Sequence, residues 1–285
     1  MRIRLVEERR LNGPSLGSKI IDYVVKRQNE DGGYTFCQGA ESNLQDTYYG
    51  LAMLSLLRGN FLDIEKTVKF ISDARLDSIY STYYVTKASL LLGKSIGAKL
   101  KKRLLSILNS KEYFGSTDFF SEVSSEFTIT FMALELANLL KIKVNTEEVT
   151  NWLLTFRNDD GGFGAQGQSN INSTYYAIAS INLLKERLSD LFETITFVRE
   201  CEKPYGGFTV IPMNFTPYME HTYFGVMTLD LLGEKGKYPS QTIDFVLGCQ
   251  NGNGGFARSD LGISTFEYTF QAVNVLRNFD FPIRL

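Results

Sequence analysis

Cysteine is scarce in this chain of 285 residues. The three that occur, Cys37, Cys201 and Cys249, are odd in number and far apart, which fits neither a disulfide framework nor a structural zinc cluster. Free, mostly buried thiols are the reading that remains. Excess charge of either sign is also missing: the formal net charge is -2 and the pI near 5.7. No block of like charge exceeds short mixed runs such as Glu7 to Arg10, so nothing points to a phosphate-tracking surface, and nucleic acid is not an expected partner. Long apolar runs are absent. Met1 to Gly13 is charged and lacks an apolar signal core, and no later stretch is long enough to span a bilayer. The expectation is a cytoplasmic protein without a transmembrane segment. Tryptophan and histidine each occur once, whereas Phe (21) and Tyr (15) are plentiful, so aromatic surface is available for packing or for lining a pocket. With 44% hydrophobic and 22% charged residues, the balance is that of a folded protein with a substantial core.

What is present is a repeat. Four segments read alike: Gln28 to Tyr34, Arg157 to Phe163, Glu202 to Phe208 and Gln250 to Phe256, each a polar turn ending in Gly-Gly-aromatic. Gly161 follows Gly32 by 129 positions, three times 43, and the later steps to Gly206 and Gly254 are 45 and 48. Two degenerate copies therefore lie between the first two, around Ser72 to Ser81 and around Asn109 to Glu126. Six units result, approximately 18–57, 64–93, 100–140, 146–184, 191–233 and 239–279, expected to form one domain over 1–285.

The first segment of each unit has helical periodicity, as in Ile20, Ile21, Val24 and Val25, with polar residues between, and predicts an outer, half-exposed helix that the Gly pair ends. The second helix is expected to open at a repeated Thr-aromatic step (Thr47, Thr82, Thr130, Thr174, Thr222, Thr269), with Asp46 or a Ser just before the Thr as N-cap. Small residues three positions past the Thr, such as Gly50 and Gly225, would allow close helix approach. These inner helices are apolar almost all round, as helices flanked by protein or by an enclosed cavity should be. Six stacked pairs bury what one cannot, and the fold class that follows is all-α, an α6/α6 toroid, with an open superhelix as the alternative.

Gln-x-x-x-Gly-Gly-aromatic, followed by a helix that opens at a small or acidic residue before Thr-aromatic, resembles the repeat of protein prenyltransferase β subunits and of squalene-hopene-type terpenoid cyclases, from about Ser18 to Phe279. The resemblance implies six inner helices around an apolar, aromatic-lined cavity that holds an isoprenoid chain, and allows for a helical α-type partner subunit. It also implies a catalytic zinc in the transferases, bound by Asp, Cys and His. By position these fall on Met219, His221 and Tyr268, so that zinc site is broken and no metal or other cofactor is expected; a shifted set of Glu220, His221 and Glu267 is the remaining possibility. The Asp-x-Asp-Asp acid of the cyclases does not occur. The basic residues that would hold a diphosphate are missing from the fifth turn, Gly206 to Pro212, with Arg258 the nearest substitute or else a surface arginine.

By the same resemblance, the residue before the Thr and those two and six after it look into the cavity. The second of these sets, Tyr49, Tyr84, Met132, Tyr176, Phe224 and Gln271, suggests an aromatic collar for an isoprenoid chain or a carbocation, or else ordinary helix packing. His221, the only histidine, is a candidate base or donor, or a helix-start residue satisfied by backbone. Asp46 is a candidate cavity acid or an N-cap, and Tyr268 a candidate ligand contact. Five residues past the Thr, charge occurs only at Lys87 and Glu135, in adjacent repeats and of opposite sign, which predicts an ion pair across neighbouring helices; Lys87 could also hold an anionic head group. The function expected is binding of an isoprenoid or other apolar molecule, with prenyl transfer or cyclisation in doubt for want of the usual motifs. The alternative is a non-catalytic, protein-binding helical scaffold.

Overall fold

The computed structural model describes residues 14–110, 123–186 and 192–284; the turn expected in the third repeat lies mostly outside them, as does Met1 to Gly13. Among the described residues twelve α-helices alternate between outer and inner: α1 (Leu16–Val25), α2 (Leu44–Leu56), α3 (Ile64–Asp73), α4 (Ile79–Leu91), α5 (Ala98–Ser110), α6 (Val123–Leu139), α7 (Thr146–Leu154), α8 (Ile171–Leu183), α9 (Phe192–Cys201), α10 (Met219–Leu231), α11 (Pro239–Gly248) and α12 (Phe266–Asn278). Outer helices bury one stripe, Ile20, Tyr23 and Val24 in α1, while inner helices are buried on most sides. No described helix is long and apolar enough to cross a membrane.

The even-numbered helices pack side by side in chain order, and α12 packs against α2, so the ring closes and the open superhelix is excluded. At the seam Tyr23 of α1 meets Phe266 of α12 edge to face at 5.4 Å, Gly17 N–H donates to Arg284 C=O at 2.9 Å, and the Arg277 guanidinium donates to Leu56 C=O at 3.1 Å.

The turn motif is held by one recurring set of bonds. The Thr hydroxyl of the inner helix accepts from the N–H of the Gly-Gly-aromatic ring residue and donates to the N-cap carbonyl: Thr47 with Tyr34 and Asn43, Thr174 with Phe163 and Asn170, Thr222 with Phe208 and Tyr218, Thr269 with Phe256 and Thr265. A buried N–H is thereby satisfied in each of these four units. The carboxylates Asp31 and Asp160 close the turns by accepting from Gly33 and Gly162 N–H. In the sixth unit the loop between turn and helix is pinched by the two-residue strands β1 (Phe256–Ala257) and β2 (Ser264–Thr265).

Three local expectations are corrected. Five inner helices begin three residues before the position expected, with Asn43, Ser78, Asn170 and Thr265 as side-chain N-caps in four of them, and α6 begins seven before Thr130; Asp46 lies inside the first turn, and its own N–H is the one Asn43 caps. The Gly pair does not end the outer helix, which stops several residues earlier, as α1 does at Val25. The first Gly instead sits at positive φ, +87° for Gly32 and +93° for Gly254, against the next outer helix. A Cβ there would stand 2.3 Å from Lys66 C in α3 or from Lys19 O in α1. The small residue three past the Thr makes room for its own turn's ring: a Cβ on Gly225 would stand 2.2 Å from the Phe208 ring, and one on Gly50 3.2 Å from Tyr34.

Candidate functional site

Inside the ring lies a cavity of about 320 Å³ lined by eighteen residues, all from the inner helices. Counted from the Thr of each helix, the wall repeats. One after the Thr stand Tyr48, Tyr83, Phe131, Tyr175, Tyr223 and Phe270, and two after it Tyr49, Tyr84, Met132, Tyr176, Phe224 and Gln271. Two before it, Gln45, Tyr80, Thr128 and Glu267 line the cavity, while Asn172 and Glu220 line an adjoining opening that shares Thr128, Tyr176, Phe224 and Glu267; all but Thr128 of these two-before residues lie in the first helical turn. Five after it, Lys87 and Glu135 complete the lining. These offsets are the i, i+3, i+4, i+7 face of an α-helix, so each helix turns one stripe inward while its Thr ties the opposite side to the turn. The helix N-termini mark the mouth and the charged pair the floor.

Rings follow one another around the wall. Tyr49 and Phe270 are 5.1 Å apart between centroids, Tyr48 and Tyr84 5.8 Å, Phe131 and Tyr176 5.6 Å, and Tyr175 stacks on Phe224 at 5.0 Å. Burial raises the tyrosine hydroxyls, Tyr223 to about 12, so the collar stays protonated and neutral. At the floor Lys87 pairs with Glu135 as expected, Tyr83 O–H donates to the other carboxylate oxygen, and the ammonium lies 5.6 Å from the Tyr48 ring centroid and 5.5 Å from that of Tyr83.

At the mouth, Glu267 and Glu220 stand at equivalent positions of the adjacent helices α12 and α10. Burial, then the negative charges of Glu220 and Asp46, push the Glu267 carboxyl up to about 7. Its hydrogen-bond partner is the Gln45 amide, 3.3 Å away. One oxygen of Glu220 accepts from Arg258 Nε at 2.6 Å and lies 2.6 Å from its Nη2, and that guanidinium also lies 3.9 Å above the Tyr218 ring. The other Glu220 oxygen is buried without a partner, as are Asn172 Oδ1 and Gln271 Oε1.

Of the candidates read from sequence, Tyr49, Tyr84, Tyr176 and Phe224 line the cavity, Lys87 lies in its floor and Tyr268 borders the adjoining opening. Asp46, expected to face inward, does not: its carboxylate accepts from Phe36 N–H at 3.0 Å and from the Asn43 amide at 2.8 Å. His221 is also outside the lining, because the position before the Thr is turned about 100° from the inward stripe. It is 6% exposed, its Nε2 is 3.8 Å from Glu220, and burial lowers its pKa, so it is neutral. Arg258 is engaged with Glu220. The inward set one past the Thr was missed, and Glu220 and Glu267 had entered only as members of an alternative metal set.

The residues do not fit the zinc that the resemblance implies. Met219 is buried and uncharged, Tyr268 is neutral, and among the described residues no three His, Cys, Asp or Glu side chains converge as metal ligands. Cys201 and Cys249 are buried and free, and burial pushes both thiols up to about 12.

The family model of the prenyltransferase alpha-alpha toroid domain matches residues 9–79 and 99–282. Among solved structures, Candida albicans protein geranylgeranyltransferase-I complexed with GGPP is similar at a TM-score of 0.73 and 17% identity, over 94% of this chain and 92% of that one. The type II terpene cyclase MstE from Scytonema is similar at 0.60 and 10% identity, over 93% and 96%. A single-substitution variant of that cyclase in complex with geranylgeranyl dihydroxybenzoate aligns at 0.59 and 11%, over 93% and 95%. No curated protein sequence matches. At these identities the structural likeness speaks for the fold.

Proposed function

The chain belongs to the prenyltransferase alpha-alpha toroid family, and from that premise we propose that it binds an isoprenoid or similar apolar chain in the central cavity, without zinc-dependent thiol chemistry. The observation that carries this reading is the open collar: eleven of the eighteen lining residues are aromatic, and they surround unfilled space. A cavity of about 320 Å³ lies at the small end of the range for ligand pockets, enough for a short or folded chain. The similar structures support the choice of ligand, since two of them are complexes with GGPP and with geranylgeranyl dihydroxybenzoate.

No reaction is assigned. Ionising an allylic diphosphate requires cationic groups around the leaving group, and here Lys87 is bound to Glu135 and Arg258 to Glu220. Titrating the purified chain with farnesol and following tyrosine and tryptophan fluorescence tests the reading. Binding is expected in the micromolar range or better, and Met132→Trp, which fills the collar, is expected to abolish it without lowering the melting temperature. Equal binding by that variant would sink the proposal, and stoichiometric zinc in the purified protein would overturn its metal-free part.

A second reading, a protein partner such as an α-type subunit over the mouth, is favoured by exposed apolar residues on the loops leading into α10 and α12: Met213 and Phe215 (79% exposed each), Leu261 (93%) and Ile263 (78%). If it holds, the chain recovered from its own cells carries one stoichiometric partner that Phe215→Ser with Leu261→Ser loses.

A further inference from the structure

Three of the polar groups that the ring leaves unsatisfied around its cavity are of one kind. Gln271 Oε1, on a residue 3% exposed, has no partner at the collar; Glu220 Oε2 and Asn172 Oδ1 have none at the mouth. All three are acceptors. Glu267 adds a carboxyl whose neighbour is an amide and no cation. Burying acceptors without donors is costly, so a ligand supplying several N–H groups recovers that cost, an alcohol with its one O–H recovers less, and a head of acceptor oxygens alone adds to it.

Charge leads the same way. Five inner helices, α2, α4, α8, α10 and α12, put a first-turn residue at the mouth end, and their N-termini alone would favour an anion. In this chain Asp46, Glu220 and Glu267 already stand in the first turns of α2, α10 and α12. The one mouth arginine is bound to Glu220, and the one cavity lysine to Glu135. The wall itself is a set of ring faces, which attract cations, and it already holds an ammonium, that of Lys87, between Tyr48 and Tyr83.

We infer that the site selects an amphiphile with a protonated amine head, held at the mouth by Glu267 and the unpaired acceptors, its apolar tail in the aromatic collar. This rests on the cavity being a ligand site, and it rules against a diphosphate as the preferred head. The elevated proton affinity of Glu267 accords with it, since an arriving ammonium supplies the counter-charge that the folded chain withholds.

Calorimetric titration of the full chain at pH 8.5 with farnesylamine, farnesol and farnesyl phosphate holds the tail constant and varies the head. The expected order is amine, alcohol, phosphate, with the amine about tenfold or more tighter than the alcohol, the worth of a charge-assisted hydrogen bond. Glu267→Gln is expected to remove the amine's advantage over the alcohol. Tightest binding by the phosphate, or equal binding by amine and alcohol, overturns the inference while leaving the cavity reading intact. Binding by none of the three overturns the cavity reading itself. The head order is read on the unaltered chain, so it stands even where the variant does not fold.

Discussion

One mouth carboxyl, Glu267, shapes the pH response of this ring. Glu267 titrates near 7 when folded, against an ordinary value near 4.5. Around it stand Gln45 and Asp46 on α2, Glu220 on α10 with Arg258 bound to it, and the neutral hydroxyls of Tyr49, Tyr84, Tyr176 and Tyr268. Because the folded pKa is raised, the native state holds its proton more tightly than the unfolded chain. Stability is therefore unaffected below about pH 4.5, falls as pH rises from there through 7, and stays lower above it, by on the order of 3 kcal/mol. Glu267→Gln removes that loss. Thermal melts are expected to show the variant near wild type at pH 5 and several degrees more stable at pH 8.5; a variant less stable at pH 8.5 would refute the assignment.

Lys87 and Glu135 form the other charged feature of the wall, each side chain 19% exposed. Truncating one partner strands the other in a largely dry floor, so Lys87→Met is expected to cost about 2–3 kcal/mol, lessened by the Tyr83 hydroxyl that still serves Glu135. Adding Glu135→Gln should recover part of that loss, so urea denaturation of the two singles and the double would give a coupling of about 1 kcal/mol or more. Additive losses would mean that the pair does not act as a unit.

Among the elements, the inner helix was the hardest to read. Its Thr-aromatic step is plain in sequence, yet the Thr marks the outward side of the first turn. Its hydroxyl serves the N–H of its own turn's ring, as Thr222 does for Phe208. Taking the Thr for the start of the helix put the N-cap three residues late. Taking the preceding residue as inward turned the first-turn phase by about 100° and brought Asp46 and His221 toward a cavity they do not line. Two rows of the wall were thereby lost, Tyr48 with its equivalents and Gln45 with its equivalents, although the i, i+3, i+4, i+7 stripe that joins them was present in the residues. The Gly-Gly turn read correctly as a repeat marker and wrongly as a helix stop, because the helix that requires the first Gly is the next one. Gly254→Ala, which at φ +93° would drive a Cβ to 2.3 Å from Lys19 O, is expected to cost more than about 2 kcal/mol. Gly252→Ala, with open space around it, is the control and should change stability by under about 1 kcal/mol.

At the scale of the whole molecule, six similar units leave open whether they unfold one by one or together. Linear arrays of repeats transmit stability only to their neighbours, so damage at one end spares the other. This ring has no ends: the sixth turn rests on α1 through Gly254, and α12 packs against both α10 and α2. The only tryptophan, Trp152 on α7, lies across the ring from that seam, packed on Phe127 and Phe156. Its fluorescence reports the fourth unit while far-UV circular dichroism reports all helices. If closure couples the units, the two signals follow one urea transition in the wild type, and Gly254→Ala moves both midpoints down by the same amount. A Trp152 midpoint that stays in place while the circular dichroism splits into two steps would mean that the closed ring behaves energetically as an open array.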